Sequence, residues 1–383
     1  MKILHTADWH LGRSLHHQSL LDLQRDVLQQ MVDLAIDQQV AAVLVSGDIY
    51  DRSVPPAEAV TLLNETVDQL VAADIALVMI SGNHDGPERL GFGAKPLTQA
   101  GVHLHTDVRQ VDQPVVITQG ATSVEVFAVP FCDPQTVRDA FQEDAEGAQV
   151  KDFDQAHTFL VEKARAARHP SRPSLLMSHC FVDGADVCDS ERTLSVGGSD
   201  RVSYEPMLGF DYVALGHLHR PQSKGASHIC YSGSPMKYSF SEAGHHKGVQ
   251  LLTLDASGLV AQAHWPLQPQ RDVRVLQGAL PDLIAQAPHD PNRDDFLMVR
   301  LQEAEALLDP MGQLRAVYPN VLHLERPSFE LARHQSVARD NIRRNEHQLI
   351  ADFYEQMTHT PLSDQQKTLL ESALDQVKRE QTP

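Results

Sequence analysis

The sequence predicts an α/β fold built around parallel strands. Two observations carry this prediction. Short apolar runs alternate with amphipathic stretches over residues 1–90, and motifs rich in Asp, Asn and His follow the apolar runs. Such alternation is typical of parallel strands joined by right-handed helical crossovers. The chain has 383 residues, which is enough for more than one domain.

The first elements are the clearest. A strand is predicted at about 2–6 and a helix near 20–39. The helix carries apolar residues at steps of three and four, which is the stripe of an amphipathic helix: Leu20, Leu23, Val27, Met31 and Leu34. The runs "VAAVLVSGD" and "IALVMISGNHD" predict buried strands. Between them, "PPAEAVTLLNETVDQLVAA" opens with prolines, as helices often do, and predicts a second helix.

Further strands are predicted at 124–129, 174–178 and 211–216. Residues 272–325 then predict strand, helix, strand, helix and strand, with "EALLDPMGQLRAVY" as the second helix. Beyond 336 only helices are predicted. One carries Ile342, Leu349, Ile350, Phe353 and Met357, and another opens at Ser363 with Gln366 in capping-box spacing. We therefore expect three domains: 1–268, a small α/β domain at 269–335, and a helical segment at 336–383.

Composition excludes several classes of protein. No run of 18 apolar residues occurs, so no membrane-spanning helix is expected. The four cysteines form no C-x-x-C pair, and we expect reduced thiols in a cytoplasmic protein. The net charge of −19 is unusual for a protein that binds nucleic acid unaided. If nucleic acid is the substrate, a partner is expected to share in holding it.

Five short motifs each follow an apolar strand, and we expect them to converge at one sheet edge, because strand carboxyl ends form the ligand crevice of α/β folds. They are Asp8-Trp9-His10, Gly47-Asp48-Ile49-Tyr50-Asp51, Gly82-Asn83-His84-Asp85, Ser178-His179 and Gly216-His217-Leu218-His219. Asp, Asn and His suit Mn²⁺, Zn²⁺ or Fe. Seven such residues exceed one tetrahedral site, and a carboxylate shared by two metals fits the count.

Each motif alone has a simpler interpretation. Asp8 and Asn83 could be turn residues, Asp48 a helix cap, and His179 a hydrogen-bonded core histidine. The pair His217 and His219 is more specific, because residues two apart on a strand point to one side. The occurrence of all five motifs, in order and at strand ends, favours a dinuclear metal site.

Nine further histidines are interpreted as surface or loop residues: His16, His17, His103, His105, His157, His169, His228, His245 and His246. Arg13 and Arg52 lie beside the metal motifs, and either a phosphate contact or a structural ion pair fits them.

The motif order resembles the calcineurin-like metallophosphoesterases. Within that superfamily, "HTADWHLG", "VSGDIYDR", "SGNHD", "ALGHLHRPQ" and "YSGSPMKYSFSE" resemble the nuclease subunits of bacterial double-strand-break repair complexes. The motifs cover residues 1 to about 265. The resemblance implies a layered α/β sandwich with a small α/β capping domain and a C-terminal helical tail. Ser53 and Asp85 stand where Ser/Thr phosphatases have glycine and glutamate, which argues against a phosphatase of that kind.

The resemblance also implies a site. It assigns one metal to Asp8, His10, Asp48 and His219, and a second to Asp48, Asn83, His179 and His217, with Mn²⁺ as the expected ion. His84 would protonate the leaving oxygen, and Asp51 would orient His84. The implied partners are DNA and an ATPase with a coiled coil, in a heterotetramer that contains two copies of the nuclease, with no membrane involved.

Two other functions remain open at this point. The same scaffold serves small-molecule phosphodiesterases and phosphatases, because one fold hosts many chemistries. A non-enzymatic scaffold that retains the metal site is the other alternative, although His84 argues against it. The helical segment could dock on the coiled coil of the ATPase, or its apolar residues could pack only on each other.

Overall fold

The computed structural model describes residues 1–191, 200–303, 305, 307–327, 350–351, 354 and 362–370. The named strands are β1 (Lys2–Thr6), β2 (Ser14–Leu15), β3 (Gln18–Ser19), β4 (Ala42–Ser46), β5 (Ala76–Ile80), β6 (Val102–His105), β7 (Val115–Gln119), β8 (Thr122–Val129), β9 (Ser174–His179), β10 (Phe181–Val182), β11 (Arg201–Val202), β12 (Tyr212–Gly216), β13 (Gln222–Lys224), β14 (Ala226–Tyr231), β15 (Gly248–Asp255), β16 (Gly258–Pro266), β17 (Val273–Gly278), β18 (Phe296–Leu301) and β19 (Val321–Glu325). The named α-helices are α1 (Leu21–Asp37), α2 (Ala57–Ala72), α3 (Pro87–Leu90), α4 (Ala94–Thr98), α5 (Pro134–Ala140), α6 (Phe153–Ala166), α7 (Leu280–Gln286) and α8 (Pro310–Val317).

Two six-stranded sheets form the first compact unit, which covers Met1–Val275 and Asp294–Leu297. The first sheet has the order β16-β15-β1-β4-β5-β6 and the second β13-β14-β12-β9-β8-β7. Strands β1, β4, β5 and β6 run parallel, as do β8, β9, β12 and β14. Antiparallel strands complete both sheets at their margins. The predicted βαβαβ run and its parallel pairing are confirmed.

The two sheets share an apolar core. Residues of β1, β4 and β5 pack in one cluster with residues of β8, β9 and β12, among them Ile3, Leu44, Val126, Met177 and Ala214. Strand β4 is buried along its whole length, as expected for a parallel strand covered on both faces. A second cluster joins β8, β9 and β12 to α6 through residues such as Leu160 and Val161. The chain therefore forms the layered α/β sandwich that was predicted.

A separate three-stranded sheet has the order β17-β18-β19. The second compact unit comprises the described residues within Leu276–Arg293 and Met298–Pro383. The predicted strand and helix order over 272–325 is confirmed, but the second helix begins later than "EALLDPMGQLRAVY" suggested. It begins at Pro310, because the Asp309 carboxylate accepts a hydrogen bond from Gly312 N at 3.0 Å and caps the helix there.

Most of the predicted helical segment 336–383 lies outside the described residues, including Ile342, Leu349, Phe353 and Met357. The predicted start of its second helix, at Ser363, lies within the described residues. The Ser363 amide donates to Gln366 Oε1 at 2.9 Å, the Gln366 amide donates to Ser363 Oγ at 3.4 Å, and residues 364–370 are helical. The capping box is therefore formed. All four cysteines are free. Among the described helices, none combines the length and apolar character needed to cross a bilayer.

Candidate metal centre

The strand ends bring the predicted ligands together, but from two sheets. Asp8 and His10 follow β1, Asp48 follows β4, and Asn83 follows β5, all in the first sheet. His179 ends β9, and the His217 and His219 pair follows β12, both in the second sheet. The expectation of a single sheet edge was therefore wrong. The ligand crevice lies between two facing sheets, because β1, β4 and β5 pack against β9 and β12.

Asp48 lies at the middle of the cluster. Its Oδ2 is 3.6 Å from His10 Nε2 and 3.5 Å from His179 Nε2. Its Oδ1 accepts a hydrogen bond from the His84 amide at 2.9 Å. The carboxylate is 2% exposed. One oxygen thus faces two imidazoles that come from different sheets, while the other is fixed by the backbone.

On one side of Asp48, two imidazole nitrogens face each other. His10 Nε2 lies 3.0 Å from His219 Nε2, and Asp8, His10 and His219 offer ligand atoms within 4.8 Å of one another. The Asp8 Oδ2 and His10 Nδ1 atoms are buried and have no hydrogen-bond partner. A buried carboxylate oxygen without a partner is costly unless a cation or a donor is supplied. This donor set therefore fits a divalent metal ion.

On the other side, the Asn83 carboxamide joins two histidines. Asn83 Oδ1 lies 3.0 Å from His179 Nε2 and 3.0 Å from His217 Nδ1. The group Asp48, His179 and His217 also has ligand atoms within 4.8 Å of one another. Asn83 Nδ2 is buried without a partner, so the contacts of this amide to the two histidines are made by its oxygen. Oxygen and imidazole donors of this kind suit a second divalent ion.

The buried carboxylates of the site are stabilised by positive charge. Burial raises the pKa of Asp8 well above its usual value. Burial alone would lower the pKa of His179, but the Asp48 and Asp8 carboxylates raise it to about 9. Burial likewise opposes ionisation of Asp48, yet His179 holds its pKa well below the usual value. The His179 proton thus compensates the carboxylates, and a bound cation would replace that charge and release the proton.

Backbone strain is concentrated at the same residues. Among the described residues nine non-glycine residues have positive φ, and four of these are Asp8 at 55°, His10 at 43°, Asp48 at 51° and His217 at 102°. Such conformations are uncommon for side chains with a Cβ and persist where the surroundings impose them. A Cβ at Gly82 would lie 2.1 Å from Asp48 Oδ1, so only glycine allows the two loops to approach.

His84 lies beside these groups with its own anchor. Its Nδ1 donates to the main-chain oxygen of Asp51 at 2.7 Å, and its ring centroid is 4.6 Å from that of His10. The Asp51 carboxylate instead lies 3.3 Å from Arg13 Nη1, and Arg13 also donates to the Ser190 carbonyl at 2.7 Å. Arg13 is therefore engaged in an ion pair. Arg52 Nη2 also lies 3.8 Å from Asp51 Oδ2, although the Arg52 side chain is 69% exposed.

Two residues that hold the ligand loops were not predicted from the sequence. The Asp85 carboxylate accepts from the amides of Gly82, Ile49 and Tyr50 at 2.9–3.1 Å and so ties two ligand loops together. The position of Asp85 in the motif Gly82-Asn83-His84-Asp85 could have identified it as a residue of the site. Gln24 of α1 donates to the carbonyl of Trp9 at 3.0 Å and to that of His10 at 2.7 Å. Gln24 lies four residues after Leu20 and three before Val27, so its place on the apolar stripe of α1 could have identified it as buried.

The interpretation of His157 as a surface or loop residue was wrong. It lies on α6, is 6% exposed, and its Nε2 is 2.9 Å from Ser178 Oγ. His103, His105 and His228 lie on strands β6 and β14 and are partly buried. Among the others, His16, His17, His169 and His246 are exposed.

The family comparison agrees with this geometry. The family model described as "Calcineurin-like phosphoesterase" matches residues 1–221, which is more than half of the chain. The protein is therefore a calcineurin-like phosphoesterase. A second family model, described as "Type 5 capsule protein repressor C-terminal domain", matches residues 269–358. The chain is 34% identical to the SbcD subunit of the nuclease SbcCD from Staphylococcus epidermidis over 381 residues, which is 98% of this chain and 99% of that protein. It belongs to the SbcD family.

Solved structures give weaker matches. A dimetal phosphatase from Danio rerio is 13% identical, with a TM-score of 0.42 over 70% of this chain and 99% of that chain. A protein from Thermus thermophilus is 15% identical, with a TM-score of 0.38 over 69% of this chain and 98% of that chain. Neither score bears on the function.

Proposed function

We propose that this protein is the nuclease subunit of an SbcCD-type complex, and that it hydrolyses DNA phosphodiester bonds with two divalent metal ions. The observation that carries the proposal is the position of Asp48, whose Oδ2 lies within 3.6 Å of imidazoles in both donor groups. The proposed substrates are double-stranded ends for exonuclease action, and single strands and hairpins for endonuclease action.

We assign one metal to Asp8, His10, Asp48 and His219 and the other to Asp48, Asn83, His179 and His217. The residues fit, because each group combines carboxylate or amide oxygens with imidazole nitrogens and contains buried atoms that lack a partner. Bound divalent ions would offset the charge of the phosphodiester and increase the acidity of the attacking water. Mn²⁺ is the proposed ion because the family resemblance implies it, and the mixture of oxygen and imidazole donors accepts Mn²⁺ as well as Zn²⁺ or Fe.

His84 is the proposed general acid. Its Nδ1 is occupied by the main-chain oxygen of Asp51, so Nε2 is the nitrogen that can hold and deliver a proton. In the reaction the attacking water loses a proton to solvent and adds its oxygen to phosphorus. The bond from phosphorus to the sugar oxygen breaks, that oxygen takes the proton from His84, and His84 regains a proton from solvent. The hydrogen bond from the His84 amide to Asp48 keeps the acid next to the proposed bridging carboxylate.

We further propose an SbcC-type ATPase with a coiled coil as the partner, in an assembly with two copies of each subunit. The name of the Staphylococcus epidermidis relative designates one subunit of a complex. The net charge of −19 also argues that DNA is held jointly. The predicted helical segment 336–383 is the proposed docking element. The four free cysteines support a cytoplasmic location.

A two-substrate assay tests the function. The purified protein is given a hairpin oligonucleotide and, separately, bis(4-nitrophenyl) phosphate, each with Mn²⁺ and with a chelator. We expect Mn²⁺-dependent cleavage of the hairpin at low micromolar DNA and only slow turnover of the chromogenic ester. Efficient hydrolysis of the ester with an intact hairpin would indicate a small-molecule enzyme. No cleavage of either substrate, alone or with the ATPase, would contradict the assignment as a nuclease.

A further inference from the structure

Several contacts hold His219 besides its place in the proposed metal centre, and three of them are short hydrogen bonds. Its Nδ1 lies 2.7 Å from Ser190 Oγ. Its amide donates to Glu191 Oε1 at 2.7 Å, and its carbonyl accepts from Lys247 Nζ at 2.6 Å. The imidazole is 1% exposed. Residues far from His219 in the sequence therefore fix both its backbone and the ring nitrogen that faces away from His10.

The contact through Ser190 continues to a buried ion pair. Ser190 Oγ lies 2.6 Å from Glu242 Oε1, and Glu242 Oε2 lies 2.5 Å from Lys247 Nζ. The Glu242 side chain has no exposed surface, and that of Lys247 is 3% exposed. The Lys247 ammonium supplies the countercharge of the Glu242 carboxylate, and the Tyr238 amide also donates to Glu242 Oε1 at 3.0 Å. Glu242 belongs to the motif "YSGSPMKYSFSE", for which no role was predicted from the sequence.

The chain of contacts sets the direction of each hydrogen bond. An ionised carboxylate can only accept, so the Ser190 hydroxyl donates to Glu242. The Ser190 oxygen is then available as an acceptor, and His219 donates to it from Nδ1. The tautomer of His219 is thereby fixed with its proton on Nδ1. Its Nε2 carries a lone pair and lies 3.0 Å from His10 Nε2.

We propose that Ser190 and Glu242 are positioning residues for His219, and that they set the affinity of the Asp8, His10 and His219 group for its metal. This inference rests on the proposed metal assignment. A histidine ligand commonly donates its second N–H to a carboxylate or carbonyl, which fixes the tautomer and makes the ligand nitrogen more basic. Here a serine hydroxyl relays that interaction from the buried carboxylate.

A third metal at Cys188, His219 and Glu242 is the competing interpretation, because their ligand atoms lie within 4.8 Å of one another. The contacts argue against it. Ser190 already connects His219 to Glu242, and the Lys247 ammonium already neutralises the carboxylate. The Cys188 thiol already donates a hydrogen bond to Glu191 Oε1 at 3.1 Å.

The test measures Mn²⁺ binding to the full-length protein by calorimetry. We expect Ser190→Ala to weaken one of the two sites by about 10–100-fold, which is the usual loss when such a partner is removed, and to leave the other site unchanged. Ser190→Thr retains a hydroxyl and should restore binding to within about threefold, which is small beside the loss in the alanine variant. Ser174→Ala is the matched control, since Ser174 is buried on β9 and its hydroxyl has no partner.

Electron paramagnetic resonance provides a second measurement. At one equivalent of Mn²⁺ per site, wild type should show the signal of a coupled Mn²⁺ pair, and Ser190→Ala should show mainly isolated Mn²⁺. Glu242→Gln should behave similarly if it folds, and its melting temperature reports whether it does. Two sites of wild-type affinity in Ser190→Ala would overturn the proposal. A uniform loss at both sites with a lower melting temperature and no rescue by threonine would also overturn it, because it would indicate a structural role.

These outcomes differ from failure of the proposed function. If wild type binds two Mn²⁺ ions but cuts no DNA, the nuclease assignment fails while the positioning role is still measured. If wild type binds no pair of ions, the metal assignment fails and the role of Ser190 and Glu242 fails with it.

Discussion

His84 Nδ1 donates to the main-chain oxygen of Asp51 at 2.7 Å, while the Asp51 carboxylate is turned toward Arg13. The orientation of His84 therefore depends on the backbone of the loop after β4 and not on the Asp51 carboxylate. A main-chain oxygen carries no full charge, so it orients the imidazole by accepting a hydrogen bond from Nδ1. Replacing the Asp51 side chain therefore leaves the hydrogen bond that holds His84, so the two residues can be tested separately.

Replacement of His84 should abolish chemistry and spare the metals. We expect His84→Ala to lower kcat for DNA cleavage by about 10²–10⁴-fold, the usual contribution of a general acid. Both Mn²⁺ ions should remain, because the distances place Asp48, Asn83, His179 and His217 in contact without His84. Elemental analysis of the dialysed variant checks the metal content. Loss of one equivalent would show that His84 is a ligand.

Replacement of Asp51 should have a smaller effect. Asp51→Asn removes the charge that pairs with Arg13 but keeps the main-chain oxygen that holds His84. We expect kcat to fall by less than about tenfold, well short of the loss in the His84 variant. Steady-state kinetics with both variants on one hairpin substrate makes the comparison. Equal losses in the two variants would mean that the Asp51 carboxylate acts on His84 directly.

Asp48 should matter to both metals, and His10 mainly to one. Asparagine is the suitable replacement at both positions, because it tolerates the positive φ of 51° and 43° better than alanine does. We expect Asp48→Asn to weaken both Mn²⁺ sites and His10→Asn to weaken one. Calorimetric titration distinguishes the cases. Two sites of full affinity in Asp48→Asn would contradict the bridging role.

The helical segment should be needed for the partner but not for chemistry. A chain that ends at residue 335 should retain its metals and Mn²⁺-dependent cleavage of single strands. It should lose co-purification with the ATPase and ATP-stimulated cutting of duplex ends. Sizing chromatography of the co-expressed subunits measures assembly. A full complex formed by the shortened chain would place the docking surface elsewhere.

Local patterns predicted the strands and the candidate ligands, because a ligand directly after a buried strand is visible within ten residues of sequence. Long-range contacts were not predictable in this way. Ser190 and Glu242 are 52 positions apart, and only the fold makes them neighbours. Assignment of β9 and β12 to a second sheet also depends on packing, because periodicity shows that a strand is buried but not which sheet it joins. His157 is different, since Leu160, Val161 and Ala164 continue its helical stripe and could have identified it as a core residue.

The buried His157 should make stability depend on pH. Burial lowers its pKa from 6.5 to about 4 in the folded state. Between these values the unfolded chain binds the proton and the folded chain does not, so the free energy of unfolding falls as pH falls through this window. The side chain is 6% exposed, and one pKa unit corresponds to about 1.4 kcal/mol. We therefore expect His157 to remove about 2 kcal/mol of stability between pH 7 and pH 5, with no further loss much below pH 4.

Urea unfolding of wild type and His157→Gln at pH 7 and pH 5 isolates this contribution, since glutamine does not titrate and is a good helix former for α6. The variant should be less sensitive to pH by about 2 kcal/mol, whatever its stability at pH 7. His169→Gln, at an exposed histidine, is the control and should retain the wild-type dependence. The same pH dependence in wild type and His157→Gln would mean that folding does not lower the pKa of His157, so that at pH 5 its hydrogen bond to Ser178 is made by an imidazolium.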